Sequence, residues 1–465
     1  MSSFVIVGAG PAGMRAAEQL VAAGQRPVVI DEGVRHGGQI YRQPPAVMRR
    51  ERRDLYGFEA GRASAVLDRF DDLRAQIDYR PRTMAWQIEA NTLQLLHAGR
   101  NHGMHFDALI LATGATDRVL PFPGWTLPGV YTLGAAQVAL KYQGCLIGPR
   151  VVFAGTGPLL YLVAWQYASH GGQVAAVLDT ASASAKWLAA PRLLARPAVA
   201  MKGAYFVARL RMMGVPLHGG VTLTRAEGAD RVTALAWRSG GTSHTTECDA
   251  IGFGHGLRSE TQLADMARCA FDYDAIDQAW LPTQDSAGRT SVPGVYLAGD
   301  GAGILGADAA ELSGARAALA ALEDLGIAPA QSQRALRIER ALHAHATFRR
   351  GLETAFAPPE RWAADAPDEL IVCRCEEITA GELRACARET GAREMNRLKA
   401  LTRIGMGRCQ GRMCAPAASR LLAHAAGCEL REVGRFRGQA PIKPIPIVML
   451  HEVAPSNVVP EDEDD

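Results

Sequence analysis

Apolar residues fall along the chain in two rhythms: short unbroken runs closed by glycine or an acid, and longer stretches spaced for a helix. The opening FVIVGAGPAGMRAAEQLVAAGQRPVVIDEG contains both. Phe4 to Val7 predicts a buried strand, Ala12 to Ala23 a helix without internal proline, and Arg26 to Asp31 a second strand ending in an acid. A unit of the same form, VVFAGTGPLLYLVAWQYASHGGQVAAVLDT, follows Arg150. Two such strand–helix–strand openings predict an α/β fold with a duplicated, Rossmann-like dinucleotide-binding architecture.

Between the two units, Arg82–Glu89 and Thr92–His97 alternate as short strands of a meander and lead into DALILATGA, a buried strand ending in a glycine turn. GVYLAGDGAGILGADAAELSGARAALAAL then reads as strand, turn and long alanine-rich helix. These elements predict a discontinuous first nucleotide domain (1–120 and 280–345), a second one (121–279) and a linker (346–367) at the end of a charged, mostly helical connector. A compact module (368–430) follows, with helical runs at Ala380–Thr390 and Ala415–Ala426. Residues 431–465 are expected to be an arm and tail: prolines in APIKPIPIVML predict an extended course over another surface, and EDEDD a solvated end.

Composition narrows the function classes. The 465 residues are 48% apolar with a formal net charge of +2, an ordinary soluble balance that gives no support to nucleic-acid binding. Apolar stretches such as Leu159 to Trp165 fall short of the roughly 18–20 residues that span a bilayer. No charged and then apolar leader precedes Phe4, so a cytoplasmic protein is expected, with peripheral docking at the inner membrane through its electron acceptor left open. Nine cysteines in such a chain do not suggest a disulfide framework.

Gly8, Gly10 and Gly13 form GxGxxG between strand and helix. The first permits the tight turn, the second lets the backbone approach a pyrophosphate, and the third lets helix pack on strand, while the helix N-terminus offers N–H donors. Ala12 lies in the same turn, and Asp31, eighteen residues after Gly13, is placed to accept from ribose hydroxyls, with Glu32 as the adjacent alternative. Gly38 and Gln39 of GGQIYRQ are further candidates to line this site. Thr113 and Gly114 close one strand as ATG, and Asp300 closes another as LAGD. The arrangement resembles two-dinucleotide flavoprotein oxidoreductases. That resemblance implies FAD in the first site, with Asp300 on its ribityl chain and the helix beginning near Ala307 aimed at the flavin pyrimidine, where its dipole would favour negative charge.

The second motif keeps Gly155 and Gly157 but has Leu160 at the third position. A leucine there should hold the helix off the strand. Asp179 would suit a ribose, so NAD or another adenine nucleotide is one reading, and a structural duplicate without a ligand is the other. No cysteine occurs in GGQIYRQ, where disulfide-reductase relatives carry a redox pair, so no dithiol relay is expected beside the flavin.

Cys373 and Cys375 form CxC, and Cys409 and Cys414 form CxxxxC in GMGRCQGRMC. Four thiolates, two per iron, suit a [2Fe-2S] cluster, and the glycines allow backbone N–H groups to approach it. Arg374, Arg408 and Arg412 favour thiolates. Structural zinc is the alternative, although it prefers CxxC knuckles. Cys145, Cys248, Cys269, Cys386 and Cys428 read as packing residues.

CRCEEIT followed by GMGRCQGRMC resembles the bacterioferritin-associated-ferredoxin-like (BFD-like) [2Fe-2S] module. Together with GGQIYR, GTGPLL, RVLPFPGW and RTSVPGVYLAGD, nearly the full length resembles the α subunits of multi-subunit bacterial amine and amino-acid dehydrogenases. That group comprises the opine oxidase A subunit, the hydrogen cyanide synthase B subunit, and the α subunits of D-hydroxyproline or proline dehydrogenases. The resemblance implies an FAD and [2Fe-2S] electron-transfer subunit. Its β partner would be a glycine- or sarcosine-oxidase-like flavoprotein that binds the small-molecule substrate, with room for FMN at the interface and for a small third subunit. The onward acceptor would be a quinone or another respiratory carrier. No residue is assigned as catalytic: His36, His170 and His255 stand alone. A stand-alone NAD(P)H-dependent reductase and a redox sensor are the competing readings.

Overall fold

The structure is a computed structural model describing residues 2–45, 47–328 and 332–446. Phe4–Val7, buried at every position, is the centre of a five-stranded parallel sheet ordered Val295–Leu297, Ala108–Leu111, Phe4–Val7, Val28–Ile30, Asp78–Arg80. Burial on both faces explains why these strands read as continuous apolar runs. Helix Pro11–Ala22 starts with proline in its first turn, where a missing N–H costs nothing, and packs along helix Ala307–Asp324. Gly314 makes that approach close: a Cβ there would lie 2.0 Å from the Ala12 carbonyl oxygen. The meander is three-stranded, with Arg100–His105 joining Thr83–Glu89 and Thr92–His97.

The second parallel sheet runs Leu217–Gly219, Gln173–Asp179, Arg150–Thr156, Ala250–His255, Val130–Thr132. An antiparallel pair, Ala115–Asp117 with Leu257–Ser259, ties the two sheets together. The predicted boundaries differ from the packing in two places. Leu263, Ala264 and Cys269 share a core with Val5 and Leu109, so residues after Ser259 pack on the first domain rather than the second. Helix Gln333–Ala355 runs straight through position 345 and packs on helices Ala183–Leu193 and Ala307–Asp324, so the first part of the expected linker is a packed element.

The C-terminal module is a short hairpin, Ile371–Cys373 with Ile378–Thr379, followed by helices Ala380–Thr390, Met395–Thr402 and Ala415–Ala426. Leu370, Val372, Leu383 and Leu421 merge into one core with Val119, Trp125 and Phe253 of the body. Trp125 Nε1 donates to the Ile371 carbonyl at 2.7 Å and Trp362 Nε1 to that of Pro121 at 2.8 Å. The module is thereby fixed to the body formed by the two parallel sheets. The arm lies across the first domain as its prolines suggested: Ile442 is buried and its N–H donates to the Trp86 carbonyl at 3.2 Å. Residues 447–465, including the acidic tail, lie outside the described residues.

Candidate functional site: a nucleotide crevice joined to a four-cysteine loop

Gly8, Thr113 and Asp300 each follow the carboxyl end of a strand, and those three strands are neighbours in the first sheet. Ligands of open parallel sheets bind outside that edge. Close backbone contacts explain the glycines. A Cβ on Gly13 would sit 1.8 Å from the Gly8 carbonyl oxygen, and one on Gly8, at φ +106°, 2.3 Å from that of Ala112. No side chain caps helix Pro11–Ala22 and its first turn holds no acid, so its N–H donors stay open to an anion.

Asp31 accepts from the Ala9 N–H (2.6 Å) and the Gly33 N–H (2.6 Å), shaping the glycine turn while retaining lone pairs for ribose hydroxyls. Burial raises its carboxyl above the usual range, against those two backbone donors. Glu32, the alternative, is instead paired with Lys443 of the arm. Gly38 passes directly over Gly10, where a Cβ on Gly38 would lie 2.9 Å from the Gly10 Cα, whereas exposed Gln39 accepts from Arg42 at 2.8 Å. Ala12 lies between Gly299 and Gly314 and serves helix packing. Asp300 accepts from the Leu305 and Gly306 N–H groups (2.9 and 3.0 Å), just before helix Ala307–Asp324, and its carboxyl too is raised by burial. A Cβ on Gly301 would meet Thr113 Oγ1 at 2.6 Å, so the ATG and LAGD turns are in contact. Open N–H donors, backbone-lined turns and an acid at the end of the second strand fit a flavin dinucleotide.

In the second sheet Gly155 also abuts backbone: a Cβ there would lie 1.8 Å from the Gly254 carbonyl oxygen, and Gly157 precedes helix Pro158–Ser169 at φ +114°. Leu160 is fully buried among Leu133, Phe153 and Val163, filling space that is closed at Gly13. Asp179 is buried and already satisfied. It accepts from Tyr161 Oη (2.7 Å), Lys186 Nζ (2.5 Å) and the Ala181 N–H (2.8 Å). Lys186 also lies over the Phe356 ring at 5.4 Å.

Cys373 ends a strand, Cys375 sits in the hairpin turn, Cys409 lies in the glycine loop, and Cys414 is the residue before helix Ala415–Ala426. Their thiols form a chain of hydrogen-bonded neighbours, Cys375 to Cys409 to Cys414 to Cys373. Hydrogen bonding from Cys414 brings Cys373 down to about 6 and Cys409 to about 5, helped by the N–H groups of Gly405 and Glu376 and of Met413 and Gly411. Gly407 is required by proximity, since a Cβ there would be 2.3 Å from that of Cys375. Neighbouring sulfurs approached by backbone donors are the donor set that a dinuclear cluster takes.

Sequence reasoning missed the residues that join the two centres. Thr113 Oγ1 donates to the Glu260 carbonyl at 2.6 Å. The Glu260 carboxylate takes two bonds from Arg412 (2.6 and 3.2 Å), which stands between Cys409 and Cys414. Gln262 Nε2 donates to the Gln410 carbonyl at 2.7 Å, and Arg258 to those of Gly411 and Arg412. No local motif marks Arg258, Glu260 or Gln262; only the fold brings them to the loop.

The pyridine nucleotide-disulphide oxidoreductase profile matches residues 2–329, and the BFD-like [2Fe-2S] binding domain profile matches residues 371–424. The chain is 37% identical to the opine oxidase A subunit of Rhizobium meliloti, covering 97% of this chain and 87% of that one. It is 34% identical to the HcnB subunit of hydrogen cyanide synthase from Pseudomonas aeruginosa, covering 95% and 97%. An L-proline dehydrogenase from P. horikoshii shares the fold, with a TM-score of 0.71 over 97% of this chain and 79% of that one at 18% identity. The chain is thus an oxidoreductase of the pyridine nucleotide-disulphide oxidoreductase family, in the group that carries a BFD-like [2Fe-2S] domain and includes the opine oxidase A subunit.

Proposed function

We propose that this chain is the FAD and [2Fe-2S] electron-transfer subunit of a heteromeric dehydrogenase acting on an amino acid, opine or other secondary amine. A glycine- or sarcosine-oxidase-like β subunit would oxidise the substrate, with FMN at the shared interface, and a quinone or another respiratory carrier would accept the electrons. One observation carries the reading: the continuous contact Thr113–Glu260–Arg412 from the flavin-side turn into the cysteine loop. When bound, FAD supplies two-electron chemistry and the cluster single-electron steps. Asp31, Asp300 and the glycine turns would bind the dinucleotide and Cys373, Cys375, Cys409 and Cys414 the irons, while Glu260 ties the cysteine loop to the Thr113 turn. The GGQIYRQ segment itself contains no cysteine to act as a disulfide relay.

The engagement of Asp179 by Tyr161 and Lys186 argues against NAD as the working donor, because the acid that would receive a ribose already holds a cation. Anaerobic mixing with NADH is therefore expected to leave the flavin band of the purified complex unchanged, whereas an amine substrate bleaches it. In Cys409→Ser, bleaching by substrate persists and reduction of an added quinone is lost. Rapid bleaching by NADH would overturn the assignment in favour of a stand-alone reductase.

A further inference from the structure

Between Asp179 and Glu227 the chain has no acidic residue. That stretch contains helices Ala183–Leu193 and Pro197–Met212, inserted between the strands Gln173–Asp179 and Leu217–Gly219 of the second sheet. Few of their side chains face inward. Ala189, Phe206 and Leu210 are buried, and Phe206 stacks with Phe58 and lies 5.1 Å from Trp165, ring centre to ring centre. The large apolar residues point the other way: Trp187 is 80% exposed, Leu188 74%, Met201 66% and Met212 75%. Helices Ala183–Leu193 and Gln333–Ala355 touch closely at Gly351, where a Cβ would lie 2.9 Å from the Arg192 Cβ, so the pair is anchored to the body along one side only.

Along Pro197–Met212, Met201, Tyr205, Ala208 and Met212 are spaced i, i+4, i+7, i+11 and make a single exposed ridge opposite Phe206 and Leu210. Arg209 and Arg211 flank that ridge, each about 80° round the helix and on opposite sides. The span 183–212 carries six basic residues, five on the two helices and Arg196 between them. Three are held by neighbours: Lys186 by Asp179, Arg196 by Asp308 and Lys202 by Glu59. Arg192, Arg209 and Arg211 form no ion pair among the described residues and remain for an outside anion.

We propose that helices 183–193 and 197–212 seat this protein on an anionic lipid surface, lying in its plane. An apolar ridge with an arginine on either side suits a planar interface, with methionine, leucine and tryptophan below the headgroups and guanidinium ends at the phosphates. Trp187 belongs at that level, where an amphipathic ring meets water on one side and acyl chain on the other. None of the described helices is long and apolar enough to cross a membrane, so the contact is with the surface. It would bring a carrier of electrons to the phase where a lipid-soluble acceptor resides, but the inference does not depend on that use.

Flotation of the protein, with whatever subunits co-purify, tests it without substrate. Vesicles of phosphatidylcholine mixed with phosphatidylglycerol are expected to carry it up the gradient, less so as salt is raised, and pure phosphatidylcholine vesicles to leave it at the bottom. Arg209→Glu with Arg211→Glu should weaken binding about tenfold or more. Trp187→Ser with Met212→Ser should weaken it with little change in salt dependence, while the flavin and cluster absorption stays that of the parent. Equal binding to neutral vesicles, no binding at all, or variants that float like the parent would overturn the proposal. Variants that shed a co-purifying subunit yet still float would assign the helices to a protein interface and overturn it as well.

Discussion

Gly13 and Leu160 hold the same position in two related turns and do opposite work. A methyl group at Gly13 would collide with the Gly8 carbonyl, so Gly13→Ala must push the helix from the strand and carry its open N–H donors away from the phosphate position. Purified Gly13→Ala is expected to contain well under half the flavin of the parent, measured by absorbance after denaturation. Leu160→Ala should keep its flavin and lose about 3 kcal/mol of stability in denaturant unfolding, because its side chain is core. Glu260 makes a third case. Glu260→Gln removes the charge that Arg412 grips without changing the length of the side chain. Substrate should bleach the flavin at the parent rate while cluster reduction slows about tenfold, equivalent to ~1.4 kcal/mol on the barrier. Stopped-flow absorbance separates the two, and equal rates for both centres would show that the loop needs no clamp.

At the scale of elements, legibility followed locality. Helices Ala380–Thr390 and Ala415–Ala426 were readable to the residue. The first begins at the Thr379–Glu382 capping box and ends at Gly391 in the left-handed region, and the second carries Pro416 in its first turn and ends at left-handed Gly427. The glycine turns and the four cysteines were equally visible, since each is a requirement written within a few residues. The arm's prolines announced an extended course but not its anchor, which is Asp265, 170 residues before Arg435. Asp265 accepts two bonds of 2.8 Å from Arg435 and one of 2.5 Å from the Gly438 N–H. Burial alone would raise its carboxyl, but those donors and Arg437 outweigh it and hold the group below the ordinary range. A lowered carboxyl contributes stability that is complete above its unfolded value near 4 and is lost as pH falls through the folded one. Asp265→Asn should therefore cost about 2 kcal/mol at neutral pH, after allowance for the partial exposure of Arg435. It should also expose the arm to protease near Arg435, and both effects should fade in strong acid.

At the scale of the whole molecule, the second sheet, the cysteine module and the long connecting helix are held together around buried charge that no motif announces. His255 ends strand Ala250–His255 and is buried; Arg118 reaches it from the first domain's exit and Arg420 from helix Ala415–Ala426. Glu353, on helix Gln333–Ala355, lies 3.6 Å from Arg118, and Arg349 bridges Glu353 and Asp277. Burial first, then Arg420 and Arg118, drives the imidazole down to about 3, so it is neutral in the folded protein at any ordinary pH. The same burial brings Arg420 down to about 10, which leaves it charged. The unfolded chain binds a proton on this histidine near pH 6.5 and the folded one does not. Stability should thus be level above about pH 7 and decline continuously as pH falls from there toward 3. His255→Phe removes the proton that the unfolded state takes up and fills the same buried space. Its unfolding free energy, followed by denaturant titration at a series of pH values, should fall less steeply between pH 6 and 4, by close to one proton per chain. A variant with the parent's slope would mean that His255 keeps its solution affinity for protons, and that the junction between sheet and cysteine module is wetter than its packing shows.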